Sequence, residues 1–221
     1  MRIKGYSHSV IGGREKNQDS FLINDAKALY VVADGVGGGM KGEVASKMAT
    51  DGFERLATTE NDLSRVMTQL QEDVLKEALD TLGEALMGTT CTVVRIANYL
   101  ATICHVGDSR LYLFREPIMR QLTEDHEYYD EGMKGTVLAS YLGIPSDIHP
   151  LKILNEQVPL QTGDRLILCS DGLYKQMTET RMAAMIRELG SMPEGLVKTM
   201  AEEAAQKEHS DNVTIVYVEV E

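Results

Sequence analysis

Five aspartates, Asp19, Asp34, Asp108, Asp171 and Asp211, are spread along nearly the whole chain, yet each stands beside glycine or at the margin of a short apolar run, where a strand would end. Strands packed side by side would bring these carboxylates to one mouth. Like charges crowded there cannot all stay ionised without cations among them. A multinuclear metal site meets that constraint, and ligation by oxygen alone suits Mg²⁺ or Mn²⁺ better than zinc, which more often recruits histidine or cysteine.

The apolar runs are short, rich in Val, Ile, Leu, Tyr and Thr, and bounded by turn residues. They predict strands over 20–24, 29–33, 90–96, 100–106, 110–114, 153–158, 165–170 and 213–220. Apolar residues at spacings of three and four predict helices over 43–57, 63–87, 179–189 and 194–207. Strands that neighbour one another as hairpins, with helices in pairs, argue for an α+β sandwich rather than an alternating βαβ sheet. With 221 residues, 43% of them hydrophobic, and no linker or repeat, residues 1–221 are expected to form a single domain. The least regular stretch, 124–150, is expected to be a surface lobe beside the core.

The net charge of −12, with no lysine or arginine run, argues against nucleic acid or an anionic membrane as partner. Cys91, Cys104 and Cys169 fall inside strand-like segments, where free thiols behave as small hydrophobes, so no disulfide framework is expected. The start, MRIKGYSHSVIGG, lacks the apolar core of a signal peptide, and no run approaches the roughly 18 apolar residues that span a bilayer. A cytoplasmic location is the expectation.

An isolated Asp-Gly is usually only a turn. After Asp34-Gly35, however, come Gly37, Gly38, Gly39 and Gly42, which allow close backbone approach to a ligand. Gly37, Gly39 and Gly42 also satisfy G-x-G-x-x-G, the dinucleotide pattern. Against that reading, Asp34 would face the pyrophosphate, and a second helix follows where a return strand should stand.

The order of the remaining motifs is more specific. The series R-x-x-N-Q-D from Arg14, A-D-G-x-G-G-x-x-x-G-E-x-A-S from Ala33, G-T-T from Gly88, V-G-D-S-R-x-Y from Val106, L-T-x-D-H from Leu122, G-D-x-L-I-L-C-S-D-G-L from Gly163 and D-N-V-T from Asp211 closely resembles the metal-dependent protein phosphatases of the 2C type in their compact bacterial form. The resemblance implies a four-layer α-β-β-α sandwich, two antiparallel sheets flanked by pairs of helices, and hydrolysis of phosphoserine and phosphothreonine in proteins. It implies Mn²⁺ or Mg²⁺, as two principal ions and a weaker third.

Carried over by position, Asp34 resembles the bridging ligand of two ions, with the Gly35 carbonyl on the second. Asp171 and Asp211 resemble further ligands of the first ion. Asp19 would contact metal-bound water, and Asp108 with Asp171 resembles the third-ion site. Arg14 matches the phosphate-binding arginine, whose planar fork suits two phosphate oxygens. Two such ions could hold a shared water as hydroxide, so no nucleophilic side chain is required.

Gln18 stands where many relatives carry Glu, which removes one negative charge. Val36 stands where some relatives carry a histidine proposed as general acid. His126 is a poor substitute, since a lone loop histidine is more often structural, and Lys41 is read as a solvated lysine.

The partners implied are phosphorylated proteins, including a serine/threonine kinase or its targets, and a monomer is expected. Only 15 residues, Glu127 to Tyr141, separate the T-x-D-H segment from Leu142-Gly143, so a short flap with weak selectivity for flanking sequence is expected. The rival readings are a catalytically silent phosphoprotein-binding module on the same fold and a hydrolase of small phosphate esters.

Overall fold

The computed structural model describes residues 2–36, 41–58, 62–147 and 149–221. In chain order the elements are β1 (Ile3–Val10), β2 (Asp19–Asn24), β3 (Leu29–Asp34), α1 (Gly42–Leu56), α2 (Leu63–Leu82), β4 (Cys91–Ala97), β5 (Leu100–Val106), β6 (Arg110–Arg115), β7 (Ile118–Gln121), β8 (Glu127–Asp130), β9 (Gly135–Leu138), β10 (Leu154–Pro159), β11 (Arg165–Cys169), α3 (Asp171–Tyr174), α4 (Glu179–Leu189), α5 (Pro193–Ala205) and β12 (Val213–Val220). One sheet runs β1-β12-β11-β6-β7 and another β10-β5-β4-β3-β2, with β8-β9 a separate hairpin. Each strand pair is antiparallel.

The central strands are apolar on both sides because both sides are covered. In β3, Leu29, Val31 and Ala33 face one cluster with Val93, Cys104 and the α1 and α2 residues Ala49, Phe53 and Leu70. The intervening Tyr30 and Val32 pack with Ile103, Leu111, Leu168 and Val216, which joins the two sheets face to face. On the far side Tyr112, Ile167 and Ile215 meet Met182, Met185, Leu196 and Met200 of α4 and α5. Three apolar interfaces between four layers give the α-β-β-α sandwich. They also explain why the strands read as runs rather than as strict alternation.

The cysteines are free and buried, as their apolar settings require. Among the described residues no helix is long and apolar enough to cross a membrane.

Several elements differ from the sequence expectation. The helix expected to reach residue 87 ends at Leu82, because Gly83 turns left-handed at φ 73° and caps it. Met87 beyond it belongs to the α1–α2 core and prolongs the apolar period without helix. β1 went unread because its Lys, Gly, Ser and His residues carry little strand signal, yet it pairs with β12 along its full length. Within 124–150 the chain forms the β8–β9 hairpin rather than irregular loop.

The dinucleotide reading finds no support. β3 is followed by α1 and α2, then by β4 antiparallel to it, the reverse of a parallel crossover. The glycines at 37–39 lie outside the described residues.

Candidate metal centre

The site is built where strand ends from the two sheets meet. Asp19 opens β2 directly opposite Asp34, which closes β3. Like charges in that register repel, so both carboxylates need compensation. The Asp34 backbone is fixed from the next strand: its N–H donates to Thr90 Oγ1 at 2.9 Å, and its carbonyl accepts from the Thr90 N–H at 2.8 Å and from Thr89 Oγ1 at 2.9 Å. The Gly88-Thr89-Thr90 segment is thus a clamp on the strand end.

Gly35 lies so close to the start of α1 that a side-chain carbon there would meet the Gly42 carbonyl at 2.5 Å. Only a bare backbone brings its peptide to the cleft floor. Asp108 sits in the β5–β6 turn, Asp171 at the start of α3, and Asp211 just before β12.

Two loops carry the remaining groups. Asn212 donates to the Ile11 carbonyl at 2.8 Å and the Lys16 carbonyl at 2.9 Å, and accepts from the Gln18 N–H at 2.8 Å, so it shapes the loop that presents Arg14. Gly172 presses against the same segment, and a side-chain carbon at that position would lie 2.1 Å from the Asn212 carbonyl oxygen. Gly172→Ala is therefore expected to cost about 1–3 kcal/mol through overpacking against rigid backbone. A loss of several degrees in Tm would register it, and an unchanged Tm would show that the contact is slack.

A cleft of about 760 Å³ is lined by Arg14, Asp34, Gly35, Asp108, Asp171 and Asp211, with Met133, Val137 and Leu138 of the β8–β9 region on one wall. Asp19 stands behind this surface, half-buried, with Oδ1 enclosed and Oδ2 accepting from Ser170 Oγ at 2.7 Å. Of the residues predicted from sequence, all seven are thus brought to one place, six on the cleft wall and one behind it.

Two cations already hold part of the cluster. Arg14 grips Asp211 with Nε at 2.8 Å and Nη2 at 2.5 Å. Lys175 Nζ donates to Asp171 Oδ2 at 2.6 Å. With those carboxylates turned to internal partners, no three His, Cys, Asp or Glu side chains form a ready-made chelate among the described residues.

The donor set nevertheless fits a hard cation. Asp19 Oδ1 and Asp171 Oδ1 are buried without a hydrogen-bond partner, and such orphaned charged oxygens are costly unless something positive faces them. Burial, together with the charges of Asp19, Asp171, Asp108 and Asp211, pushes the Asp34 carboxyl well above the usual range. Burial also pushes Asp19 and Asp108 up, each to about 6.

A carboxyl raised by folding adds stability while it is protonated and loses it as pH rises through the folded value. In excess chelator the protein should therefore lose thermal stability as pH climbs from about 4 through about 6, the interval between the free and folded values of Asp19 and Asp108. Saturating Mn²⁺ should remove that loss. Melting curves across this range with and without metal provide the check, and a chelated protein that gains stability through the interval would contradict it.

His126 is no part of the cleft. It is buried, tilted against His105 with ring centres 4.9 Å apart, and its Nδ1 accepts from the Gly107 N–H at 3.3 Å. Gln18 donates through Nε2 to Glu43 Oε2 at 3.3 Å, a pairing that a second carboxylate at position 18 could not make without a proton or a cation. Lys41 is exposed, in a left-handed turn before α1.

The sequence reading missed Lys175, Tyr174 and Asn212. Asn212 was visible only as a motif letter. Lys175 carried one usable signal, its position four residues after Asp171.

Set against known proteins, residues 24–221 match the family model described as Stage II sporulation protein E (SpoIIE). The chain is 30% identical to the serine/threonine phosphatase stp of Listeria innocua, over 93% of this chain and 91% of that protein. PppA of Pseudomonas aeruginosa, described as a key regulatory component of its T6SS, superposes with a TM-score of 0.87 at 26% identity, covering 99% of this chain and 98% of that one. The catalytic domain of the serine/threonine phosphatase PstP in complex with two manganese ions has the same fold, with a TM-score of 0.82 at 24% identity over 98% of this chain and 97% of that one. The fold and the carboxylate cleft define a phosphatase of the sandwich type. The chain belongs to the 2C-type family of metal-dependent serine/threonine phosphatases.

Proposed function

We propose that this chain hydrolyses phosphoserine and phosphothreonine in proteins, using divalent cations held by Asp34, Asp171 and Asp211, with the Gly35 carbonyl as a further ligand and Asp19 in the surrounding shell. The observation that carries the reading is the convergence of five carboxylates from separate strand ends on one cleft, two of them with a buried, unpartnered oxygen. Two ions, Mn²⁺ or Mg²⁺, match this donor set. When bound, they supply the charge that activates an attacking water and offsets negative charge at phosphorus.

The protein's own groups do the remaining work. Arg14 has the reach and the planar fork to hold two phosphate oxygens once it leaves Asp211. Burial pushes the thiols of Cys91, Cys104 and Cys169 up, Cys104 to about 12, so none serves as a nucleophile. Burial lowers the His126 pKa and its ring nitrogen is engaged within the core, which supports leaving-group protonation from elsewhere than this imidazole.

The β8–β9 hairpin supplies the nearest protein surface for residues flanking the phosphate, with Tyr129 and Met133 well exposed. A wall this short supports broad tolerance of flanking sequence. The substrates are then phosphoproteins selected by co-localisation or docking elsewhere, a serine/threonine kinase or its targets among them.

Rates on a phosphothreonine peptide, a sugar phosphate and a nucleotide at saturating Mn²⁺ test the reading. The peptide should give the highest kcat/KM. A small ester turned over far faster would point to a small-molecule hydrolase, and no turnover of any of them to a silent binding module.

A further inference from the structure

We infer that the Lys175 ammonium is a built-in cation of the carboxylate cluster and takes the place between Asp108 and Asp171 that a third divalent ion would otherwise occupy. The inference rests on the divalent-ion reading above, but it concerns a residue outside that ligand set. Lys175 follows the single turn of α3 directly, and its Nζ lies 2.6 Å from Asp171 Oδ2 and 3.9 Å from Asp108 Oδ2. The lysine side chain is half exposed, whereas the two carboxylates it reaches are only 15% and 10% exposed. Lysine ordinarily keeps its charged head in water and lays its stem on the protein. Here the head is turned inward.

The neighbouring groups make this arrangement specific. Tyr174 donates its hydroxyl to the same Asp108 Oδ2 at 3.3 Å. Its ring lies 3.6 Å beneath the Arg110 guanidinium, and Arg110 is itself held by Asp125, with Nη2 to Oδ2 at 2.6 Å. Asp108 Oδ2 is therefore approached both by Tyr174, itself held through a chain of side chains, and by Lys175. An ion shared by Asp108 and Asp171 would have to displace the ammonium or tolerate it within a few ångströms, and like charges at that range repel strongly in a partly buried cleft. Its tether also keeps the ammonium at these carboxylates at high effective concentration, so an ion entering there must outcompete it. Lys175 is on this account a positioning residue that fixes the number of ions.

Calorimetric titration of Mn²⁺ into the metal-free protein tests the inference, with Lys175→Met preserving the stem and Lys175→Arg preserving the charge. Melting curves establish that the variants are folded. Wild type and Lys175→Arg should each bind two ions, whereas Lys175→Met should gain a third, at least about tenfold tighter than any weak third event in wild type. In Lys175→Met, turnover should also respond to Mn²⁺ over the range in which the third ion binds. A third ion in wild type as tight as in Lys175→Met would overturn the inference, as would a Lys175→Met protein that still binds two. A wild type that binds no ion at all would instead overturn the divalent reading of the whole cleft, and this inference with it.

Discussion

Asp34→Asn is expected to lower kcat on a phosphothreonine peptide by about a hundredfold to a thousandfold at saturating Mn²⁺, the scale seen when a central electrostatic group is removed. Asp34 is the carboxylate on which the others converge, since its charge is raised in energy by burial and by each of the four remaining aspartates. Asparagine keeps the shape and the backbone clamp to Thr89 and Thr90 but withdraws the charge that would hold two ions. The same substitution should raise the Tm of the metal-free protein, because it removes a half-buried carboxylate from opposite Asp19. Loss of activity with gain of apo stability separates a metal-ligand role from a structural one. Near wild-type turnover would refute the bridging assignment.

Arg14→Ala is expected to raise KM for phosphopeptide about tenfold to a hundredfold, the loss of a charge-assisted pair of hydrogen bonds worth roughly 1.5–3 kcal/mol. Metal binding should survive and tighten, because Arg14 now occupies both oxygens of Asp211. Asp211 cannot face an ion squarely while that fork is in place, so metal and arginine compete for one carboxylate. Release of Arg14 by a bound ion would free the guanidinium for phosphate. Steady-state kinetics beside calorimetric Mn²⁺ titration decides this, and abolished metal binding in Arg14→Ala would show that the arginine supports the centre rather than the substrate.

Much of this site was legible because its residues carry chemistry at conspicuous places. Five aspartates in order, each beside glycine or at the margin of an apolar run, point at one cleft from the sequence alone. The sandwich was legible for a related reason. Strands covered on both faces are written as nearly continuous apolar runs, as in Leu29–Asp34 and Val213–Val220.

What stayed hidden depends on partners distant in sequence. β1 is defined by its pairing with β12 rather than by its own Lys, Gly, Ser and His residues. Asn212 looks like a turn residue until its contacts to residues 11, 16 and 18 are seen. The pairing of Arg14 with Asp211 and of Lys175 with Asp171 likewise follows from the tertiary approach of loops, or from one turn of helix too short to leave a periodic signal. The end of α2 was misread because Met87 continues the apolar rhythm after Gly83 has already stopped the helix.

The most direct measurement is the initial rate of phosphate release from a phosphothreonine peptide by the wild-type protein, first in excess chelator and then after Mn²⁺ is restored. A cleft that works through cations held by its carboxylates predicts no turnover in chelator and full recovery with Mn²⁺. Undiminished turnover in chelator would contradict it, as would a protein that stays inactive on the peptide when Mn²⁺ is present in excess.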